Sequence, residues 1–366
     1  MQKIVMFEES VTNSKTFCVM PFIGRFQNLN GTSHFCCYGT TPIDFDSDEA
    51  NRLRQKVYDG EKIGHCHHCY NLESKNIVSA RINENENWLK DPEIIEYLSN
   101  WNKDNTKIYF YDVRYDNKCN LACIMCNPMN SSMWEKELGI ESPKHQLKFK
   151  IDDALNSKRI LMAGGEPLII DDCIEVLRKV SVMDKQPEVI IITNLTRVND
   201  EIKGYLQKLK NLTLAISIDA YGKVNEYHRW PLKWNKLVEN IKWARTLGCN
   251  IQFNTVVDAI SIFSVDRLIE IEDLVDSWSL LILTKPSALQ VNNLPEHMKA
   301  DILKRFENIK RSKFYNTNEK FTTEVDGIAT KLMNAGNAEL LINYVTEIDN
   351  RRKLNHADYL GVSLRL

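Results

Sequence analysis

The stretch Cys119-Asn120-Leu121-Ala122-Cys123-Ile124-Met125-Cys126 carries three cysteines at the spacing C-x3-C-x2-C. Residues 108–115, just before it, predict a strand, and Asn127-Pro128 closes the loop. Three thiolates on one short loop can hold three corners of a cubane iron–sulfur cluster, because soft sulfur ligands suit iron. A fourth protein ligand is missing locally, so one iron would stay open to a substrate or cofactor, as a catalytic metal site requires.

The chain as a whole has the composition of an ordinary globular protein. It has 366 residues, enough for two domains, with 43% hydrophobic and 26% charged residues. Its 47 basic and 49 acidic residues give a net charge of -2, so no overall field favours nucleic acid or membrane. No basic patch followed by an apolar run opens the sequence, and the longest apolar runs are strand-sized. We therefore expect a cytoplasmic protein without a signal peptide or membrane span.

The ten cysteines are unevenly distributed. In a reducing compartment, such clusters bind metal or act in catalysis more often than they form disulfides. Cys173 and Cys249 stand alone beside or within apolar patterns, and we predict that both are small core residues. The others lie in the central loop and in the first 70 residues, where the cysteines are Cys18, Cys36, Cys37, Cys66 and Cys69.

Four parts of the chain differ in pattern. Residues 1–90 show little regular periodicity, so a metal staple is physically reasonable there. Residues 91–106 predict a linker helix, residues 107–290 alternate between strand and helix patterns, and residues 291–366 are mostly helical. Within the last part, residues 318–348 predict one amphipathic helix packed on the sheet domain, followed by a solvated helix end at 349–352.

Six strand-and-helix units run in tandem from residue 107. Such units form a parallel sheet with right-handed crossovers. The predicted fold class is α/β, as a partial (β/α)6 TIM-like barrel with a small cysteine-rich N-terminal module and a helical C-terminal tail. A doubly wound sheet fits equally well, and both folds place the chemistry at the carboxyl ends of the strands. The strands are predicted at 108–115, 160–163, 189–192, 212–218, 251–257 and 280–283, with a helix at 264–275 before the last.

Unusual polar motifs coincide with these strand ends. Gly164-Gly165-Glu166-Pro167 follows the second strand, Thr193-Asn194 the third, and Ser217-Ile218-Asp219 the fourth. The cysteine loop follows the first. Because carboxyl ends of parallel strands meet at one edge of the sheet, the shared location of these motifs indicates an active site.

The cysteine loop after a first strand, with Gly-Gly-Glu-Pro after a second, resembles the radical S-adenosylmethionine (SAM) superfamily over roughly residues 107–285. Asp112-Val113-Arg114 and Asn117-Lys118 also resemble its sequences around the loop. The resemblance implies that Cys119, Cys123 and Cys126 ligate a [4Fe–4S] cluster whose open iron binds the amino and carboxylate groups of SAM. Reductive cleavage of SAM would then yield a 5′-deoxyadenosyl radical that abstracts hydrogen from a substrate.

The resemblance also implies a SAM-binding site. The backbone of Gly164, Gly165, Glu166 and Pro167 would meet the SAM ammonium, since glycines allow close approach of main-chain carbonyls. Arg229 matches an arginine that pairs with the SAM carboxylate, although a surface arginine is the alternative. The family often has an aromatic residue where Met125 stands, and a thioether can cover a purine face. The remaining candidates, at strand ends, are Ser217 and Asp219 for ribose or carboxylate, and Asn194 and Asn254.

The N-terminal cysteines resemble the SPASM/twitch modules that hold auxiliary iron–sulfur clusters. Cys18, Cys36, Cys66 and Cys69 would then ligate a second [4Fe–4S] cluster, with Cys37 as a substitute for Cys36. That module normally follows the barrel, so its position here departs from the family pattern. Structural zinc is the competing interpretation, because the same cysteines and four nearby histidines suit zinc equally well: His34, His65, His67 and His68.

The sequence thus predicts a radical SAM enzyme that abstracts hydrogen and then oxidises its substrate or forms a bond. On family analogy, the substrate is a peptide or a small natural-product precursor, and the expected partners are SAM and an external reductant such as flavodoxin or ferredoxin. A non-catalytic iron–sulfur or zinc protein is the alternative. It is disfavoured because an electron carrier needs neither Gly164–Pro167 nor six strand-and-helix units. A methyltransferase would need a glycine-rich loop after its first strand, which is absent. No catalytic acid, base or radical relay is identified.

Overall fold

The computed structural model describes residues 7, 10–11, 14–75, 77–143 and 151–365. The sequence predicts no signal peptide in residues 1–12, and most of these residues lie outside the described ranges. The chain forms two compact units. The first contains Met1–Asp116, Pro143–Gly164 and Pro187–Val189, and the second contains Asn117–Ser142, Gly165–Gln186 and Ile190–Leu366. The module bounds predicted at 90, 106 and 290 stay predictions.

Eight strands form a mostly parallel sheet in the order β2-β1-β3-β4-β5-β6-β7-β8. From β3 to β8 the spatial order follows the chain without reversal, whereas a doubly wound sheet reverses its order. The sheet is thus wound in one direction, as the predicted partial barrel requires. The strands are β1 (Gly24–Gln27), β2 (Ser33–His34), β3 (Phe110–Arg114), β4 (Arg159–Ala163), β5 (Glu188–Thr193), β6 (Leu212–Ser217), β7 (Asn250–Val257) and β8 (Ser277–Ile282).

Pairing and burial follow the sequence pattern closely in the predicted strands. In the first unit β1 pairs in parallel with β3, and β3 with β4; in the second β6 pairs in parallel with β7, and β7 with β8. Alternate residues of β7 are buried, which is the period-two pattern that predicted it. The short strands β1 and β2, which are antiparallel, were not predicted. Every residue of β1 is buried, including Arg25 and Gln27, so no alternation marks it.

The helices of the second unit all follow the cysteine loop in sequence. They are α6 (Ser132–Leu138), α8 (Asp171–Val180), α9 (Asp200–Leu206), α10 (Lys223–His228), α11 (Trp234–Arg245), α12 (Glu296–Phe306), α13 (Glu319–Leu332), α14 (Ala338–Arg352) and α15 (Ala357–Leu360). The first unit contains α1 (Met20–Ile23), α2 (Asp48–Tyr58), α3 (His67–Glu73), α4 (Ala80–Trp88), α5 (Pro92–Ser99) and α7 (Ile151–Leu155).

Some local predictions were confirmed and others were wrong. The segment predicted as a helix before β8 is helical, as the 3₁₀ helix Val265–Leu274. The single helix predicted over 318–348 is two helices, α13 and α14. The second begins at a new cap, because the Asn337 side chain accepts hydrogen bonds from the Glu339 and Leu340 amides. Cys173 is a core residue as predicted, but Cys249 is only partly buried. Within the described ranges, no helix is both long and apolar enough to cross a membrane.

Candidate cluster and cofactor sites

The cysteine loop is held by hydrogen bonds to its backbone from distant parts of the second unit. Four consecutive carbonyl groups, from Leu121 to Ile124, each accept a hydrogen bond from a side chain outside the loop. A buried loop needs such partners because unpaired backbone groups are costly. The donors are Ser131 Oγ to Leu121 (2.7 Å), Arg352 Nη2 to Ala122 (2.8 Å), Trp134 Nε1 to Cys123 (2.9 Å) and Tyr344 Oη to Ile124 (2.7 Å).

The three thiols of the loop sit in a setting that disfavours isolated thiolates. Cys123 is buried, and Cys119 and Cys126 are partly buried. Burial, followed by the charge of Cys123, raises the pKa of Cys119 and of Cys126 to about 12. Metal ligation requires thiolates, and positively charged iron offsets the cost of burying them. A donor set of three sulfurs with this burial therefore fits the cluster that the sequence implied.

A fully buried chain of charges lies beside Cys123. Arg229 Nε is 2.7 Å from Asp219 Oδ2, and Arg229 Nη1 is 3.8 Å from Cys123 Sγ. His228 Nδ1 is 2.9 Å from the same Asp219 oxygen, and His228 Nε2 is 2.6 Å from Asp258 Oδ2. Opposite charges thus alternate from Asp258 to Arg229, as buried charges require.

The pKa values of this chain follow from the pairing of its groups. Burial opposes charge on His228, but Asp258 and Asp219 outweigh it and raise the pKa of His228 to about 9. Burial also opposes charge on Asp219, but Arg229 and His228 lower its pKa to about 2. Because Arg229 is buried, the alternative that it is a surface arginine is excluded. Asp219, predicted to contact SAM, has a fully buried side chain whose partners are protein groups.

Glu166 of the Gly-Gly-Glu-Pro motif is buried and points into the protein. Its carboxylate accepts hydrogen bonds from Thr193 Oγ1 (2.6 Å), the Asn194 amide (2.7 Å) and the Leu168 amide (3.1 Å). Burial raises the pKa of Glu166, while these donors oppose the shift. The carboxylate therefore joins the end of β5 to the turn that follows β4 in sequence, and Pro167 begins a 3₁₀ turn there.

The two glycines of this motif have backbone conformations that other residues rarely adopt. Gly164 has φ +83°, and Gly165 has φ +33°. A Cβ at Gly164 would also lie 3.2 Å from the Arg114 Cβ. A side chain at Gly164 would therefore be strained and crowded, so the turn is restricted to glycine.

The other predicted cofactor residues of the second unit occupy strand ends or the loop. Asn194 Nδ2 donates to Asn120 Oδ1 (3.1 Å), which connects the end of β5 to the cysteine loop. Ser217 and Asn254 are register partners at the end of β6 and within β7, and both are partly buried. Met125 is partly buried within the loop. Ser217, Asn254 and Met125 thus keep some exposed surface, whereas Asn194 and Asp219 are buried.

Several residues of this site were missed or misjudged from the sequence. The helix end at 349–352 was predicted to be solvated, but the Arg352 side chain is 1% exposed and bonds the loop. His228 gave no signal beyond its place next to Arg229. Asp258 directly follows β7 and could have been found by the strand-end rule that found Asp219. The Arg352 and Tyr344 contacts join positions more than 200 residues apart in sequence and leave no local pattern.

The N-terminal cysteines form a second group, within the first unit. Burial raises the pKa of Cys18, and the charges of Cys66, Cys36 and Cys69 raise it further, so these four thiols lie close together. For Cys37 the largest influence after burial is Asp112, and the pKa of Cys37 is raised to about 12. All five thiols line a cavity of about 550 Å³, part of it open to solvent. Cys36, rather than Cys37, thus has Cys66 and Cys69 as electrostatic neighbours.

Buried polar contacts connect the segments that carry these cysteines. Arg81 on α4 makes a two-pronged ion pair with Glu73 at the end of α3, with Nη2–Oε2 at 2.7 Å. Arg81 Nη1 and Asn85 Nδ2 both donate to the carbonyl of Phe17, at 2.6 and 2.9 Å. The segment before Cys18 is therefore fixed to the helix that carries Cys69.

Among the described residues, no three His, Cys, Asp or Glu side chains are arranged to hold a metal ion. In a cubane cluster each thiolate binds a different iron atom, so the thiolates lie farther apart than around one zinc ion.

The fold and the cysteine loop define a domain class, and the comparison with known families agrees. Residues 114–277 match the Radical SAM superfamily. This range is less than half of the chain, and it includes the three loop cysteines and Gly164–Pro167.

Individual relatives match about half of this chain or less at the sequence level. The GTP 3′,8-cyclase of Helicobacter pylori is 28% identical over 175 residues, which cover 46% of this chain and 52% of the relative. That of Aquifex aeolicus is 24% identical over 163 residues, covering 42% and 48%. The chain thus spans about half the length of the curated relatives it matches. Among solved structures, Streptococcus suis SuiB bound to S-adenosylmethionine is 16% identical, with 74% of this chain and 60% of SuiB covered and a TM-score of 0.43.

Proposed function

We propose that this chain is a radical SAM enzyme that cleaves SAM reductively and abstracts hydrogen from a peptide or a small natural-product precursor in the cytoplasm. The observation that carries the proposal is the cysteine loop itself. Its three thiols project from a backbone whose four central carbonyl groups are all fixed by side chains. Such fixation suits a site that must hold a reactive group in one position.

The loop residues and their neighbours would each have a defined task. Cys119, Cys123 and Cys126 would hold the cluster, and the turn at Gly164–Pro167 would present main-chain groups to the SAM ammonium. Once bound there, the cluster and SAM supply reductive cleavage of a sulfonium bond and a carbon radical for hydrogen abstraction. Ser217, Asn254 and Met125 keep exposed surface and, with the buried Asn194, would bind and orient SAM.

Asp219 and Arg229 would act differently from the simple expectation of two direct SAM contacts. The Asp219 carboxylate is occupied by His228 and Arg229, so its task would be to hold Arg229 in place. Arg229 would then present its remaining N–H groups toward Cys123 and a SAM carboxylate. A guanidinium suits this task because it offers donors in a fixed planar fork.

The N-terminal thiols would hold an auxiliary [4Fe–4S] cluster through Cys18, Cys36, Cys66 and Cys69. Four close thiols in a largely apolar cavity support it, and such a group supplies an electron acceptor for substrate oxidation. Zinc in place of iron is the alternative at this position. Iron and sulfide analysis of anaerobically purified protein separates the two, because only a cluster adds iron and sulfide. Retention of a second cluster in C66A/C69A protein would contradict the assignment of these ligands.

The central test is reductive cleavage of SAM by reconstituted protein. With dithionite or a flavodoxin as reductant, we expect 5′-deoxyadenosine and methionine from the wild type and none from C119A/C123A/C126A. C173A is the matched control, because Cys173 is a core thiol away from the loop pattern. Absence of 5′-deoxyadenosine from a wild type with full iron content would contradict the proposed activity.

The substrate class is tested by deuterium transfer into 5′-deoxyadenosine. Deuterated short peptides and small alcohols form one arm of the experiment. GTP forms a second arm, because the curated relatives are named GTP 3′,8-cyclases. We expect transfer in the peptide or small-molecule arm, and transfer from GTP alone would overturn that preference.

A further inference from the structure

Arg352 at the end of α14 is the most deeply enclosed cation on the C-terminal helix. Its guanidinium lies over the rings of Trp134 and Trp230, with centroid distances of 4.9 and 5.0 Å. Nε is 3.1 Å from both oxygens of Glu137, and the side chain is 1% exposed. Contacts with two rings and a carboxylate restrict the orientation of a guanidinium.

The Arg352 guanidinium also contacts the cysteine loop. Nη2 donates to the carbonyl of Ala122 at 2.8 Å, one residue before Cys123. Trp134 donates its Nε1 to the carbonyl of Cys123 at 2.9 Å. The backbone carbonyl of Trp230 accepts from the Ala122 amide at 2.7 Å. Arg352 and both of its aromatic neighbours therefore bond the backbone at or next to one ligand.

Arg352 lies outside residues 114–277, the range that matches the superfamily. The chain thus adds a cation to the loop from a segment beyond the matched domain. Glu137 accepts from Nε, which leaves Nη2 to donate to the Ala122 carbonyl.

We propose that Arg352 is a positioning residue for the cysteine loop and that its charge raises the reduction potential of the cluster held there. The proposal rests on the proposed function, because it needs a cluster at Cys119, Cys123 and Cys126. Uptake of one electron, from dithionite in the test below, adds one negative charge next to three thiolates. A fixed cation nearby stabilises that charge, and charge and hydrogen bonding near the sulfurs set such potentials.

Two contributions of Arg352 can be separated by substitution. R352Q keeps a hydrogen-bond donor for the Ala122 carbonyl but removes the charge. R352K keeps the charge but loses the planar fork that reaches Ala122 and Glu137 together. R178Q is the control, since Arg178 is an arginine of the same unit whose side chain is 52% exposed and pairs with Glu175 at 2.7 Å. Arg351 is unsuitable because it also lies 3.8 Å from Glu137.

The measurements are made on the full reconstituted chain under anaerobic conditions. The midpoint potential is read from the electron paramagnetic resonance signal that changes when SAM is added, which identifies the cluster with an open iron. Iron loss to a chelator is followed in parallel. We expect a more negative potential in R352Q, a near wild-type potential in R352K, and iron loss about 10-fold faster in R352K, the usual cost of removing an outer ligand contact. R178Q should match the wild type in both readouts.

The outcomes distinguish this inference from the function on which it rests. If the wild type holds no more iron than C119A/C123A/C126A, the proposed function fails. If the wild type holds the cluster but R352Q leaves its potential unchanged, the electrostatic inference alone is overturned. If R352Q does not fold, as judged by circular dichroism, R352K decides: unchanged iron loss overturns the positioning role, and faster loss at an unchanged potential supports it.

Discussion

Arg229 and Asp219 form an ion pair, with Nε 2.7 Å from Oδ2, in which the side chains are 8% and 0% exposed. The guanidinium of the pair lies 3.8 Å from the Cys123 sulfur. A charge so deeply buried cannot lose its partner cheaply, because water does not reach it. The pair therefore connects the stability of the second unit to the geometry of its cysteine loop.

The first prediction concerns removal of the Asp219 charge. D219N leaves Arg229 and His228 with one counter-charge fewer, and breaking a buried pair in this way costs about 3–5 kcal/mol. We expect a lower free energy of unfolding by denaturant and reduced iron retention. D184N is the control, since Asp184 is exposed and a surface substitution changes stability by about 0.5 kcal/mol or less. A D219N protein as stable as D184N would contradict the pairing.

The second prediction is a pH dependence of stability that His228 causes. The pKa of His228 is raised from 6.5 to about 9, so its contribution is complete below about pH 6.5 and is lost as pH rises through about 9. The loss is roughly 3 kcal/mol, because a pKa that differs by one between folded and unfolded states is worth about 1.4 kcal/mol. Unfolding free energies measured between pH 6 and about pH 10 should fall in the wild type more steeply than in H228Q.

Two comparisons make the pH experiment specific. H297Q replaces an exposed histidine and should keep the wild-type slope. At the acid end, the pKa of Asp219 is lowered from 3.8 to about 2, so its contribution is present above about pH 3.8 and is lost as pH falls through about 2. Equal slopes in the wild type and H228Q would show that His228 is not held charged.

The third prediction compares two adjacent cysteines of the first unit. Cys36 has Cys66 and Cys69 as electrostatic neighbours, whereas the largest neighbouring influence on Cys37 is Asp112. We expect C36A to lose the auxiliary cluster, about four iron atoms per chain, and C37A to retain it. Iron and acid-labile sulfide measured after anaerobic reconstitution give the answer. Loss of iron in C37A but not in C36A would reverse the assignment.

The fourth prediction concerns Glu166, whose carboxylate accepts from three donors. E166Q replaces one acceptor oxygen by an amide that must face a donor, and such a mismatch in a buried site costs about 1–3 kcal/mol. We expect a lower melting temperature and weaker SAM binding by the cluster-loaded protein, measured by calorimetry. E86Q, at an exposed position of the first unit, should change neither. Wild-type SAM affinity in E166Q would separate this carboxylate from the SAM site.

Local patterns accounted for most of the sheet and for the cysteine loop. The six predicted strands were found because buried strands such as β7 alternate in hydrophobicity, a property that each short segment carries by itself. The strand-end rule located Asp219 and Asn194, since parallel strands bring their carboxyl ends to one edge. The same rule applies to Asp258, which directly follows β7.

What the sequence determined by itself is the order of strand-and-helix units and the three-cysteine loop, because hydrophobic period and residue spacing are local properties. What only the tertiary structure decided is how that loop is held. Arg352 reaches the Ala122 carbonyl across 230 residues, and Asp219 lies between His228 and Arg229 rather than open to solvent. Such contacts depend on which segments pack together, and burial then fixes the charge state of each partner.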